Sequence, residues 1–216
     1  MTPVAPAQRV SRVQPHAVLF PCLLLVGLAA AILIRNAIGG AGVARSAPAG
    51  LVFAALLMGL TLLVSPRRPN ARRRLGHRSL QRRPSPARAV GIGLAGAVVL
   101  CVPAAAAIVL EGRDFPARPA DAFLGWAAVV TVVATAEEVF LRGALYRLLE
   151  RFGLAVAIGV PAVAFAALHL PLYGWGALPL DFAVGVWLGA LRAVSGSAAA
   201  PAVAHMGADW AAYWLV

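Results

Sequence analysis

Long apolar runs constrain this chain more than any other feature of its sequence. Seven such runs follow one another, each near the length of about 20 residues at which an α-helix crosses a bilayer. They lie at residues 17–34, 49–65, 89–110, 120–141, 153–171, 178–193 and 198–215. A lipid-embedded segment must satisfy its backbone hydrogen bonds internally, so the pattern predicts an all-α, polytopic transmembrane helix bundle of about seven helices.

The composition excludes a soluble domain of this size. Of the 216 residues, 61% are hydrophobic and only 12% are charged, and the mean hydropathy is +0.83. Soluble domains carry about twice this fraction of charged residues. The two cysteines, Cys22 and Cys101, lie in separate apolar runs and match no metal or redox spacing.

The basic residues indicate the orientation of the chain in the membrane. All 19 are arginines, and nine of them fall within residues 67–88, where no acidic residue occurs. A nucleic-acid-binding arm has a similar composition, but apolar spans flank this segment, which favours a cytoplasmic loop and no nucleic-acid partner. The N-terminus is then cytoplasmic and the C-terminus outside, although Arg35 and Arg45 would also lie outside. The arginine-only, alanine-rich composition indicates a GC-rich bacterial genome, so we expect an integral protein of a bacterial plasma membrane.

The fourth apolar run contains ionisable residues that need a partner. Glu137, Glu138 and Arg142 lie in it, and ionisable side chains within a span are costly unless paired or hydrated. Glu138 and Arg142 share one helix face at i and i+4, whereas Glu137 points about 100° away. Glu137 therefore requires a partner from another helix.

Two later histidines are predicted to meet Glu137. A tight turn near residues 151–153 makes helices four and five an antiparallel hairpin, which puts Glu137 and His169 each about 22–26 Å from that turn. His205 lies about 12 Å past the turn at residues 195–197. These distances predict that the three residues converge in the cytoplasmic half of the bilayer.

Three short motifs carry a family resemblance. They are, in order, Glu137-Glu138-x-x-x-Arg142, Phe165-x-x-x-His169 and His205-x-x-x-Asp209. Together they resemble the signature of the CPBP intramembrane proteases, which include CAAX prenyl endopeptidases and bacteriocin-immunity (Abi) proteins. The resemblance implies a four-helix catalytic core in residues 120–216. Residues 1–119 would supply a tail, three transmembrane helices and the arginine-rich loop.

The resemblance also implies catalytic roles. Glu137 would be the general base, His169 would help it position the water, and His205 with Asp209 would lie on the oxyanion side. Many family members have Asn where this chain has Asp209, and an aspartate donates a hydrogen bond to an oxyanion only when protonated. An ionised Asp209 would instead orient His205. The match with Asn favours the protonated donor.

Three further residues are expected to support the site without catalysing. Glu138 would pair with Arg142 and hold the helix, and Phe165 would pack beside His169. None of the three is predicted to touch the reacting atoms.

The cofactor and the function class each have alternatives. One glutamate and two histidines resemble a catalytic zinc ligand set, but no single helix carries His-Glu-x-x-His, which favours a metal-free site with no cofactor. The predicted function is an intramembrane endopeptidase acting on a membrane-associated or exported peptide in the lipid bilayer. The alternative is a non-catalytic membrane scaffold or immunity-type binding protein. A proton-coupled transporter has less support, because no repeat of the helices is visible.

Overall fold

Helices make up nearly all of the part of the chain that the structure describes. A computed structural model describes residues 15–64, 85–112, 114, 116 and 118–215, and these residues include seven long helices and no strand. The prediction of an all-α bundle is therefore confirmed. The predicted N-terminal tail and most of the arginine-rich loop, residues 1–14 and 65–84, lie outside the described residues.

The helix bounds agree closely with the apolar runs. The elements are α1 Pro15–Gly39, α2 Ala47–Val64, α3 Pro86–Leu110, α4 Ala120–Glu138, α5 Tyr146–Leu149, α6 Leu154–Tyr173, α7 Leu178–Ser195 and α8 Ala199–Leu215. Six helical segments are long and apolar enough to cross a membrane, including the 33-residue segment Ala120–Phe152. α8 has 17 residues and is shorter than these six.

The fourth span changes its helical geometry halfway along. After α4 the backbone forms a π-helix over Val139–Leu145, then α5 and a 3₁₀ turn at Glu150–Phe152. π-Helical turns are rare and occur frequently at functional sites. The sequence predicted a continuous α-helix here, and the structure differs from that prediction by this π-helical segment.

Local sequence signals mark several helix ends. The Ser85 hydroxyl accepts a hydrogen bond from the Arg88 backbone N–H, and Pro86 occupies the first turn of α3. Gly196 ends α7 in the left-handed conformation, with φ of 70°, which glycine adopts at little cost.

Small residues bring the helices close together. A Cβ on Gly93 of α3 would lie 2.6 Å from the Ala200 carbonyl oxygen in α8. A Cβ on Gly185 of α7 would lie 2.8 Å from the Ala162 Cα in α6. The α3–α8 and α6–α7 pairs therefore pack with backbones in close approach, as small residues allow in membrane bundles.

Apolar side chains fill the interior and also cover the outside of the bundle. Phe53, Phe140 and Leu188 are fully buried, whereas Leu63 and Leu110 are 82% and 85% exposed. Outward leucines on apolar spans face hydrocarbon in a bilayer, and inward ones form the core. The arrangement is that of an integral membrane protein.

Candidate active site

All four predicted catalytic residues line one cavity. The cavity has a volume of about 380 Å³ and is bounded by α1, α2, α4, α6 and α8. Glu137, His169, His205 and Asp209 lie on its wall. The structure therefore brings together residues from three helices, as the sequence motifs predicted.

Glu137 and the two histidines form the centre of this site. Each offers one ligand-type atom, a carboxylate oxygen or an imidazole nitrogen, and these three atoms lie within 4.8 Å of one another. All three residues are buried, with exposed fractions of 2%, 8% and 5%. A water molecule between them could contact a carboxylate and an imidazole at the same time.

The His169 ring is held in one orientation. Its Nδ1 lies 2.9 Å from the Phe165 carbonyl oxygen one turn earlier. A carbonyl oxygen only accepts, so Nδ1 carries the proton and Nε2 keeps a lone pair. The ring also packs against Phe165, with centroids 4.3 Å apart, and stacks on Tyr173 at 5.6 Å. The predicted packing of Phe165 beside His169 is confirmed.

The His205 ring lies between two carboxylates. Its Nδ1 is 3.1 Å from Glu138 Oε1, and its Nε2 is 3.5 Å from Asp209 Oδ2. The Asp209 side chain is 36% exposed, so the apolar surroundings that a protonated donor requires are only partly present. The 3.5 Å separation fits an ion pair of Asp209 with His205 and also fits a protonated Asp209, so the role of Asp209 stays a prediction.

Glu138 and Arg142 form the predicted pair. Arg142 Nη1 donates to Glu138 Oε1 at 2.7 Å, and both side chains are completely buried. The sequence did not predict that the same Glu138 oxygen also contacts His205. Glu138 therefore supports the site from both sides, although its role as a support and not a catalyst stays a prediction.

Arg142 is fixed by three further contacts. Its Nη2 donates to the Gly185 carbonyl oxygen at 2.9 Å, and its guanidinium lies 4.9 Å from the centre of the Phe165 ring. Arg192 Nε donates to the Arg142 carbonyl oxygen at 3.0 Å. The π-helical segment is thereby tied to both α6 and α7.

Sequence reasoning missed a charged residue of the cavity. Arg35, which we considered only as evidence on topology, lines the same cavity and is 8% exposed. An arginine near the end of an apolar span is a signal that could have identified it.

The chemistry of the donors is compatible with a zinc ion. His169 and His205 each have Nδ1 next to an oxygen acceptor, which leaves Nε2 to face a metal, and Glu137 adds a carboxylate. Two imidazoles oriented by acceptors and one carboxylate are a usual catalytic zinc set. The contact of His205 Nε2 with Asp209 competes with that arrangement.

A comparison with known protein families identifies the segment that carries the site. Residues 119–211 match the family model described as type II CAAX prenyl endopeptidase Rce1-like. The matched residues include all seven predicted site residues. No curated protein and no solved structure matches the chain. The family match confirms the resemblance that the three motifs indicated.

Proposed function

We propose that this protein is an intramembrane endopeptidase, because residues 119–211 match the family model described as type II CAAX prenyl endopeptidase Rce1-like, a family of intramembrane proteases. Its substrate is a membrane-associated or exported peptide. The observation that carries the proposal is the convergence of Glu137, His169 and His205 within 4.8 Å in one cavity.

The proposed reaction uses a water molecule at this convergence. Glu137 accepts a proton from the water, and His169 Nε2 accepts a hydrogen bond that orients it. The water oxygen attacks the peptide carbonyl carbon and forms a tetrahedral oxyanion. Glu137 then returns the proton to the leaving nitrogen as the carbon–nitrogen bond breaks, which yields a carboxylic acid and an amine.

His205 serves the oxyanion in this proposal. Its contacts with Glu138 and Asp209 hold the ring at both nitrogens, so it is preorganised before the substrate binds. Because both ring nitrogens face carboxylates, His205 acts here as a positive charge beside the oxyanion, and a preorganised charge of this kind is a large contributor to acyl-transfer catalysis. Asp209 orients His205 and does not touch the oxyanion itself.

We favour the metal-free form of this chemistry. A zinc ion held by Glu137, His169 and His205 would supply a Lewis acid and a more acidic water. However, a zinc ligand must present a lone pair at Nε2, whereas His205 Nε2 faces the Asp209 carboxylate. A ring that donates from both nitrogens satisfies both of its contacts.

The orientation determines which side of the membrane supplies the substrate. We place the N-terminus and the arginine-rich loop in the cytoplasm of a bacterial cell. The cavity is lined by the later part of α1, the start of α2 and the end of α6, including Arg35, Ser46 and Tyr173. These helix ends then face the outside, which suits an exported peptide.

This proposed opening differs from the cytoplasmic half that helix spacing predicted. His169 lies only four residues before the C-terminal end of α6 at Tyr173. The spacing argument measured depth from the cytoplasmic turn and could not define the far end of the helix.

Peptide cleavage by the purified protein tests the proposed function. The parent and the Glu137→Gln variant are reconstituted in liposomes with a mixture of synthetic peptides, and new peptide termini are identified by mass spectrometry. We expect new termini with the parent and with Arg147→Gln, a control at an exposed arginine, but not with Glu137→Gln. If the parent and Glu137→Gln give the same termini, or none, the non-catalytic scaffold explains the chain better.

A further inference from the structure

Arg35 is a buried cation on the wall of the proposed active site. It lies near the C-terminal end of α1, is 8% exposed and lines the cavity that contains Glu137 and His169. Its guanidinium carbon is 4.9 Å from the centre of the Phe53 ring, so one side of the group packs against an aromatic face. The position of the guanidinium is therefore defined by packing.

Among the described residues this cation forms no ion pair, although Glu137 on the same cavity wall interacts with it electrostatically without a direct contact. Its Nε and Nη1 atoms are buried and form no hydrogen bond in the part of the chain that the structure describes. That part includes all eight acidic residues, and no ion pair joins any of them to Arg35. Arg142, in contrast, has Glu138 at 2.7 Å. A buried guanidinium whose N–H groups lack acceptors is costly, which points to a ligand that accepts hydrogen bonds from Arg35.

We propose that Arg35 binds a carboxylate group of the peptide substrate and thereby sets which bond reaches Glu137. This proposal rests on the proposed peptidase function and adds a specificity-determining residue from outside the family-matched segment 119–211. The carboxylate is either the C-terminus of the peptide or an acidic side chain within it.

The chemistry of the cavity favours a carboxylate over other anions. A planar guanidinium matches a carboxylate through two parallel hydrogen bonds. The same cavity contains Glu137 and Asp209, whose negative charges oppose a multiply charged anion such as a phosphate. A peptide carboxylate brings a single negative charge, and the substrate chain itself supplies it.

The remaining cavity wall fits a short apolar peptide segment. Apart from Arg35 and the catalytic residues, the wall consists mainly of small or branched apolar residues, including Gly50, Val130 and Val133. A peptide anchored at Arg35 would extend along this wall towards Glu137. The position of the cleaved bond would then be counted from the carboxylate.

A binding measurement tests the anchor independently of catalysis. The probe is a fluorescently labelled alanine–valine peptide in three forms: the free acid, the C-terminal amide, and the amide with one internal glutamate. Anisotropy is measured with the Glu137→Gln protein, which is not expected to cleave it, and with the same protein carrying Arg35→Gln or Arg35→Lys. Arg147→Gln in the same background is the control for loss of an exposed arginine.

We expect a carboxylate form to bind at least about tenfold more tightly than the plain amide, the effect of one charge-assisted hydrogen bond. Arg35→Gln should remove the difference and Arg35→Lys should keep part of it, while Arg147→Gln changes nothing. Tighter binding of the free acid identifies the C-terminal carboxylate as the group that Arg35 binds. Tighter binding of the glutamate form identifies the acidic side chain instead. Equal binding of all three forms, or a preference that survives Arg35→Gln, overturns the proposal.

Cleavage and stability separate this proposal from the proposed function and from misfolding. Arg35→Gln removes a buried charge that forms no ion pair with the described residues, so the variant should unfold no earlier than the parent. In the cleavage assay it should raise KM for carboxylate peptides and leave kcat nearly unchanged. If binding depends on the carboxylate but the parent protein cleaves no peptide, the peptidase function is refuted and the carboxylate site at Arg35 is not. If peptides with and without a carboxylate are cleaved equally well, the carboxylate site at Arg35 is refuted and the peptidase function is not.

Discussion

Breaking the Glu138–Arg142 pair should destabilise the fold, and removing both partners together should restore much of the loss. Glu138→Gln leaves the completely buried Arg142 guanidinium with only the Gly185 carbonyl and the Phe165 ring as partners. Arg142→Met leaves the Glu138 carboxylate with only His205. Loss of one partner of a buried pair costs about 3–5 kcal/mol.

The double variant separates a coupled pair from two independent contributions. The variant that carries both Glu138→Gln and Arg142→Met contains neither of the two buried charges. Its loss in free energy of unfolding should therefore not exceed that of either single variant. The coupling energy is then at least about 3 kcal/mol, at or above the upper end for residues in contact. Unfolding is followed by near-ultraviolet circular dichroism during titration with SDS in mixed micelles, and the exposed Arg147→Gln serves as control. If the double variant costs the sum of the two single variants, the pair does not hold the helix as described.

Four other predictions concern the site, its cofactor and the topology. Glu137→Gln and His169→Ala should each lower the cleavage rate at least about a hundredfold, as expected when an acid–base group is lost. Both variants should keep the gel-filtration elution volume and the circular dichroism spectrum of the parent. Parental activity in either variant would refute the role assigned to that residue. Asp209→Asn should also lower activity at least about a hundredfold at every pH if Asp209 pairs with His205 at 3.5 Å, whereas a neutral donor predicts that most activity remains. Cleavage should survive EDTA, and the purified protein should contain less than one zinc per chain by mass spectrometry; activity restored by zinc alone would contradict the metal-free proposal. A cysteine at Gly76 should react with an impermeant thiol reagent only after the cells are opened, and labelling of intact cells would reverse the orientation.

The helices were predictable because their signal is local. Each apolar run is long enough to define a span by itself, and residues such as Ser85 and Gly196 mark the ends. The convergence of Glu137 with His169 was also accessible, since a tight turn between antiparallel helices fixes their relative depth.

Other features depend on tertiary contacts that the local sequence does not encode. The residues from Val139 to Leu145 are compatible with an α-helix, and their π-helical form is accompanied by the bond from Arg192 to the Arg142 carbonyl. Arg35 enters the cavity only through the packing of α1 beside α2 and α6. No spacing rule connects a residue in the first span with a motif in the fourth.

The π-helical segment also affects how changes of chain length act on this protein. A π-helical turn contains about one residue more than an α-helical turn, so every side chain beyond Leu145 is rotated by about 100° relative to a continuous α-helix. Deleting a single residue from Val139–Leu145 and restoring regular α-helix would cancel this rotation, so Tyr146 would keep its direction towards Arg192, whose guanidinium carbon lies 4.8 Å from its ring centre. A one-residue gap at this point in a sequence alignment would therefore mark a span without the wider turn, in which the Glu137 end and the Arg147 end keep the same angular phase.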